Sequence, residues 1–304
     1  MGAVSLLPLS LLLLLLPGVA AAHVPAPTAT PSLWEWNLAP WLLALLLGSA
    51  ALYAHGIRRL WRSAGRGRGI PTTAVTAFAL GWFMLVLALV SPLDPLGGRL
   101  FSAHMVQHEL LMVVAAPLLV MGRPLAAWTW AFEPPVRQAL GRTAKTAPVQ
   151  VPWQVLTDPV IAWGLHAIAL WAWHVPRFFT AALEHEGLHI LQHFTFLASA
   201  LFFWWAALGH DPRRGQSTGQ AIALLFTTML HTAALGALLS LAPTPWYEPY
   251  IATTNALGID PVDDQQLGGL VMWVPAGLAY VVVALVLIGR LVTRQGQEGR
   301  PRVP

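Results

Sequence analysis

The sequence predicts an all-α polytopic membrane protein, a helix bundle with about seven transmembrane helices after an N-terminal signal peptide. Three observations predict it. The 304-residue chain is 56% hydrophobic and 10% charged, with a mean hydropathy of +0.61, which no ordinary soluble domain of this length shows. Seven apolar segments are each long enough to cross roughly 30 Å of hydrocarbon. Basic residues also gather on alternate connections, as positive-inside topology demands. Backbone N–H and C=O groups cannot go unpaired in lipid, so segments of this length and uniform apolarity read as helices.

In chain order, residues 1–22 read as a secretory signal. An apolar run from Leu6 to Leu16 is followed by Pro17-Gly18 and by Val19-Ala20-Ala21-Ala22, although no Lys or Arg precedes the run. Cleavage after Ala22 would make His23 the mature N-terminus, and 23–37 would be a polar, Pro-rich extracytoplasmic segment. A seven-helix membrane domain covers 38–292, and 293–304 is a cytoplasmic tail. The spans lie near 38–58, 72–92, 102–121, 157–174, 188–208, 219–241 and 268–290. The fourth is short, and Pro117 interrupts the third. No 20–50-residue repeat and no separate soluble domain is evident, and the Pro- and Gly-punctuated 122–152 connection is the longest cytoplasmic loop.

Orientation follows from the cations. Arg58, Arg59, Arg62, Arg66, Arg68, Arg123, Arg137, Arg142, Lys145, Arg213, Arg214, Arg290, Arg294, Arg300 and Arg302 fall on one side. Only Arg99 and Arg177 of the 17 basic residues fall on the other. The basic side is then cytoplasmic, which agrees with an N-terminus outside after cleavage. The same distribution accounts for the net charge of +4 and pI near 10.1 without a nucleic-acid partner, and makes Arg58–Arg68 a solvated inner loop. The chain has no cysteine, which excludes disulfides and thiolate chemistry and leaves His and Met as ligands for any soft metal.

Six of the 11 histidines crowd the predicted outer face. His104 and His108 open helix 3 beside Glu109, Trp173-His174-Val175-Pro176 ends helix 4, and His185, His189 and His193 open helix 5 beside Glu186. Asp260, Asp263, Asp264, Gln265 and Gln266 lead into helix 7. Imidazole ligates copper, zinc and haem iron and is costly to leave unpaired near lipid. Helical residues four apart are neighbours, so His104 with His108, and His189 with His193, can each share one ion. His185, His189 and His193 drift around the helix as a trio. A copper site needs two to four nitrogen ligands, with Glu109, Glu186, Asp263 and Asp264 as candidates to orient the imidazoles. A single histidine at this depth reads as an interfacial hydrogen-bonding group; two i, i+4 pairs plus His174 read as a site. Met105 and Met112 read as packing.

Other histidines read differently. His231 in helix 6 and His166 in helix 4 face the bundle interior, where an ionisable group suggests a metal or proton path. His55 and His210 lie beside arginines at the cytoplasmic ends and read as loop-edge residues. His185-Glu186-Gly187-Leu188-His189 satisfies the H-E-x-x-H pattern of zinc proteases, but it straddles a loop–helix boundary and no third-ligand signature follows apart from His193. An N-terminal His23 could chelate copper only after cleavage at Ala22.

At these residues the chain resembles the CtaG family, assembly factors for bacterial caa-type cytochrome c oxidases. The matching stretches are His104-Met105-Val106-Gln107-His108 with Ala116-Pro117-Leu118-Leu119, and Trp173-His174-Val175-Pro176. Further along come Leu188-His189 through His193 with Phe203-Trp204-Trp205, and Asp264-Gln265-Gln266-Leu267-Gly268-Gly269 with Met272-Trp273-Val274-Pro275. Glu109 departs from the pattern, which is apolar after the second histidine, and the pattern does not require the glutamate of the protease match. The resemblance implies a multi-pass protein that takes part in forming the oxidase copper centre.

The expectation is a non-enzymatic assembly factor in the bacterial plasma membrane that binds a copper ion on the extracytoplasmic side. Candidate ligands are His104, His108, His174, His185, His189 and His193, with Glu109, Asp263, Asp264, Gln265 and His231 in support. An exchangeable, partly open site at the water boundary suits delivery to a cytochrome c oxidase subunit; the other partners are the lipid bilayer and a periplasmic copper donor. Three alternatives stand beside it: a haem-binding electron carrier with bis-His ligation, a transporter routed past His231 and His166, and a metal-free scaffold that grips the oxidase through aromatic helices.

Overall fold

The computed structural model describes residues 34–208 and 218–298, and every regular element among them is helical. Pro40–Ala64 (α1), Thr72–Leu89 (α2) and the short Leu93–Gly97 (α3) precede Phe101–Glu109 (α4). That helix runs on through a π-helical turn, Leu110–Ala115, into Ala116–Met121 (α5). Pro124–Trp130 (α6), Pro134–Thr143 (α7) and Ala147–Leu156 (α8) form the long connection to Pro159–His174 (α9). Pro176–Glu184 (α10), Glu186–Ala207 (α11), Thr218–Ser240 (α12), Pro249–Ala256 (α13) and Pro261–Glu298 (α14) follow.

Six stretches are long and apolar enough to cross a membrane: α1, α2, α4 through α5, α11, α12, and 261–289 of α14. A seventh is α8 with α9, if that pair, bent by 66°, makes one span. The described residues therefore form an all-helical bundle with six or seven candidate membrane-spanning helices. The expected signal peptide, His23, His210, Arg213 and Arg214 lie outside the described residues.

Two local features depart from the sequence-based expectation. Pro117 does not break the third span. The backbone shifts to i→i−5 pairing, with Ala116 N–H bonded to Leu111 O. That register would pair residue 117 with the carbonyl of Met112, and proline has no N–H to give. The Trp204 indole of α11 donates to Met112 O instead, at 2.8 Å, so a chain break becomes a tie between helices. The seventh span also starts early. Asp263, Asp264, Gln265 and Gln266 occupy the first two turns of α14 and do not merely lead into it.

α14 packs against α4 and α12 at very close range. A Cβ on Gly269 would sit 2.6 Å from Gly236 O of α12, and one on Gly268 would sit 2.6 Å from Cε1 of Phe101. Only glycine permits both approaches, the small-residue helix contact familiar in membrane bundles. Phe101, Met105, Phe179, Tyr247, Tyr250 and Met272 form a compact buried group at this end of the bundle, separate from the larger core along α1, α2, α5 and α11.

Candidate metal centre

The site lies where α4 and α11 begin and α9 ends. α4 is anchored in trans: the Asp264 carboxylate accepts from Phe101 N at 2.6 Å, from Ser102 N at 3.2 Å and from Ser102 Oγ. A carboxylate at a helix start satisfies orphan N–H groups and complements the helix dipole. Asp158 does the same for α9, accepting from Val160 N and Ile161 N. α9 then ends at His174, and His185, in extended conformation, precedes α11.

These helix ends bring five imidazoles together. Ring centroids of His104 and His108 are 4.3 Å apart, and those of His189 and His193 are 4.2 Å apart. Across the helices, His104 is 5.4 Å from His189 and 5.9 Å from His193, and His108 is 5.3 Å from His193 and 6.4 Å from His174. One ligand nitrogen from each of His104, His189 and His193 lies within 4.8 Å of the other two.

Hydrogen bonds settle the tautomer of two rings. His104 Nδ1 lies 3.2 Å from Gly97 O and 3.1 Å from the Tyr250 hydroxyl. That hydroxyl spends its one proton on Gly97 O, at 2.8 Å, so both neighbours of Nδ1 are acceptors and Nδ1 carries the hydrogen. His174 Nδ1 faces Leu170 O at 2.7 Å and must also donate. Nε2 of each ring is therefore a lone pair, and both are buried without a partner. Nε2 of His189, Nε2 of His193 and both nitrogens of His108 are likewise buried and unpartnered. Each such group costs about 1–3 kcal/mol, so six in one place imply a ligand of their own. An N–H tied to a backbone carbonyl with the opposite nitrogen free is the usual arrangement of a metal-ligating histidine.

Burial is graded. His104 and His108 are 1% exposed and His174 is 2% exposed, His189 and His193 are half-buried, and His185 is exposed. Most of the nitrogens are enclosed, and only the α11 side approaches the surface. Phe179 lies 5.0 Å from the His104 ring and stacks on Tyr247 at 4.1 Å, closing the site from α10 and the 241–248 connection. Burial, with Asp264 adding to it, pushes the Tyr250 hydroxyl well above its ordinary pKa, so it stays protonated.

The remaining sequence-predicted residues fall elsewhere. His185 is not helical and stands outside the group, which parts the two histidines of the protease-like pattern. Asp264 orients a helix, not an imidazole. Gln265 accepts from Trp246 N at 2.6 Å and donates to Leu239 O and Thr244 O, tying down the connection after α12. Asp263 is exposed. Glu109 closes α4 with Oε2 buried and unpartnered, and His231 lies beside Trp163. Residues that sequence reasoning missed are Gly97, Tyr250, Gln192 and Asp94. Gln192, on α11 between two of the histidines, is fully buried with both amide atoms unpartnered. Asp94 is held by Gln107 Nε2 at 2.6 Å and Asn37 Nδ2 at 2.8 Å, bracing the residue that precedes His108. Only their place in the fold gives these four a role.

These features define a polytopic helical membrane protein with a cluster of imidazoles at one end that could hold a metal ion. The chain belongs to the cytochrome c oxidase caa3 assembly factor family (Caa3_CtaG), whose model matches residues 51–294 and so includes all five clustered histidines. It is similar to uncharacterized proteins of Mycobacterium tuberculosis (strain CDC 1551 / Oshkosh) and Mycobacterium bovis (strain ATCC BAA-935 / AF2122/97), each 29% identical over 267 residues, 83% of this chain and 39% of the relative. An uncharacterized protein of Mycobacterium leprae (strain TN) is 25% identical over 266 residues, 82% of this chain and 39% of the relative. The chain thus spans well under half the length of these relatives. No solved structure matches it.

Proposed function

We propose that the protein holds copper between His104, His189 and His193, with His108 and His174 as further ligands, and passes it to cytochrome c oxidase as the oxidase copper centre is assembled. The observation that carries this is the convergence of unpartnered, buried imidazole nitrogens, with those of His104 and His174 fixed as lone pairs by bonds on the far side of the ring. An all-nitrogen donor set suits copper among the ions such an oxidase uses, and family membership supplies the recipient. No substrate bond is made or broken, so the protein acts as a carrier and not as an enzyme.

The chain's own groups divide the work. Gly97, Tyr250 and Leu170 hold rings in place so that little order must be imposed when the ion arrives. His189 and His193, half-buried on α11, form the side through which copper exchanges. In a bacterial plasma membrane with the basic connections inside, this end faces outward, toward a soluble donor and the oxidase.

The test is elemental analysis of full-length protein purified in detergent without chelator. Wild type and His185→Ala retain the same copper stoichiometry, whereas His104→Ala with His108→Ala, and His189→Ala with His193→Ala, each lose the equivalent held by the cluster. Unchanged stoichiometry in both double variants would remove the cluster from copper handling.

A further inference from the structure

A second pair of histidines lies deeper in the bundle and takes no part in the cluster. His166 is 1% exposed and precedes His174 by eight residues on α9, about 12 Å along the axis at ~1.5 Å per residue. Its Nδ1 is 3.0 Å from Ser199 Oγ on α11. Ser199 has a single hydroxyl proton and donates it to Phe196 O at 3.2 Å. Ser199 therefore accepts from His166, the hydrogen sits on Nδ1, and Nε2 is a lone pair, buried with no partner. The ring is clamped against Phe203, at 5.4 Å and 20° between planes.

His231 of α12 faces the same place. Its ring lies 6.0 Å from Trp163, one turn before His166 on the same face of α9. Both nitrogens of His231 are buried and unpartnered, as is the Trp163 indole N–H. Neither imidazole donates to the other. Four orphaned polar atoms in one apolar stretch of the bundle are more than close packing tolerates without a ligand.

The surroundings select the ion. Among the described residues no carboxylate bonds to either imidazole, so a divalent cation would bring two uncompensated charges into an apolar interior. A monovalent d10 ion brings one, and two nitrogen donors on opposite sides satisfy it. We propose that His166 and His231 form a second, two-coordinate site for a monovalent soft cation, copper(I) in the cell, inward of the outer cluster. This site uses none of the cluster's residues and stands independently of the function proposed above.

Anaerobic titration of the detergent-solubilised full chain with copper(I), against a competing copper(I) chelator, tests it. His231→Ala and His166→Ala should each bind one equivalent fewer than wild type, and His231→Met, which keeps a soft donor, should retain it. In a His189→Ala, His193→Ala background, adding His231→Ala should remove one further equivalent, and X-ray absorption of that background before the third change should show two nitrogen neighbours. Equal stoichiometry in wild type and His231→Ala would overturn the proposal. Should His166→Ala fail to fold, the two His231 variants decide. Loss of copper in His231→Ala with none in the outer double variant would sink the outer site and leave this one standing.

Discussion

Tyr250 shows what a single side chain contributes. Its hydroxyl donates to Gly97 O and offers a lone pair to His104 Nδ1, so one atom orients both the carbonyl and the imidazole. In Tyr250→Phe, His104 keeps only the longer bond to Gly97 O, and copper affinity should fall about 10-fold, at the low end for loss of an outer orienting partner. Competition with a chelator measures this, with helical content by circular dichroism as the control. Affinity equal to wild type would mean that His104 needs no second anchor. The i, i+4 pairs were legible in the sequence because both members ride on one helix. Tyr250 was not, because nothing in Tyr250-Ile251-Ala252-Thr253-Thr254 suggests a partner 146 positions away. His185 shows a different limit: its spacing looks helical, but the helix starts one residue later.

At the scale of elements, the acidic start of α14 holds α4 in place. Sequence reasoning placed Asp264 beside the imidazoles because a carboxylate near histidines suits a supporting role. Its observed partners are the backbone N–H groups of Phe101 and Ser102, one turn before His104. Asp264→Ala should destabilise the fold by about 1–2 kcal/mol, the usual cost of a lost helix cap, seen as a lower unfolding midpoint in detergent. Copper affinity should fall with it although every histidine is intact. An unchanged midpoint would show that the glycine contacts of α14 suffice to place α4. The Asp264-Gln265-Gln266-Leu267-Gly268-Gly269 run is then explained physically: a cap for α4, a tie for the connection after α12, and two glycines for close helix approach.

For the whole molecule, the connections that contribute to the site, 90–100, 174–186 and 241–261, lie at one end, and the described Arg-bearing connections 65–71 and 131–146 lie at the other, where Arg59 pairs with Glu133. Reporter fusions within 65–71 and 131–146 should report cytoplasm, and fusions within 241–248 should report the outer side. The reverse pattern would overturn outward delivery of copper while leaving the cluster itself in place. Hydropathy made the approximate span count legible, since it is set by local composition against the bilayer. The α8–α9 bend and the inclusion of Asp263 and Asp264 in α14 were not legible, because apolarity marks where lipid begins and not where a helix does.

From the sequence alone came the helical class, the approximate spans and the two histidine pairs, all of which depend on spacing within a single segment. Which nitrogens converge, which carry the proton, how deep they lie, and that Asp264 grips a helix and not an imidazole were decided only by packing. Those outcomes rest on contacts between residues as many as 163 positions apart, and no period or local composition encodes a contact of that range.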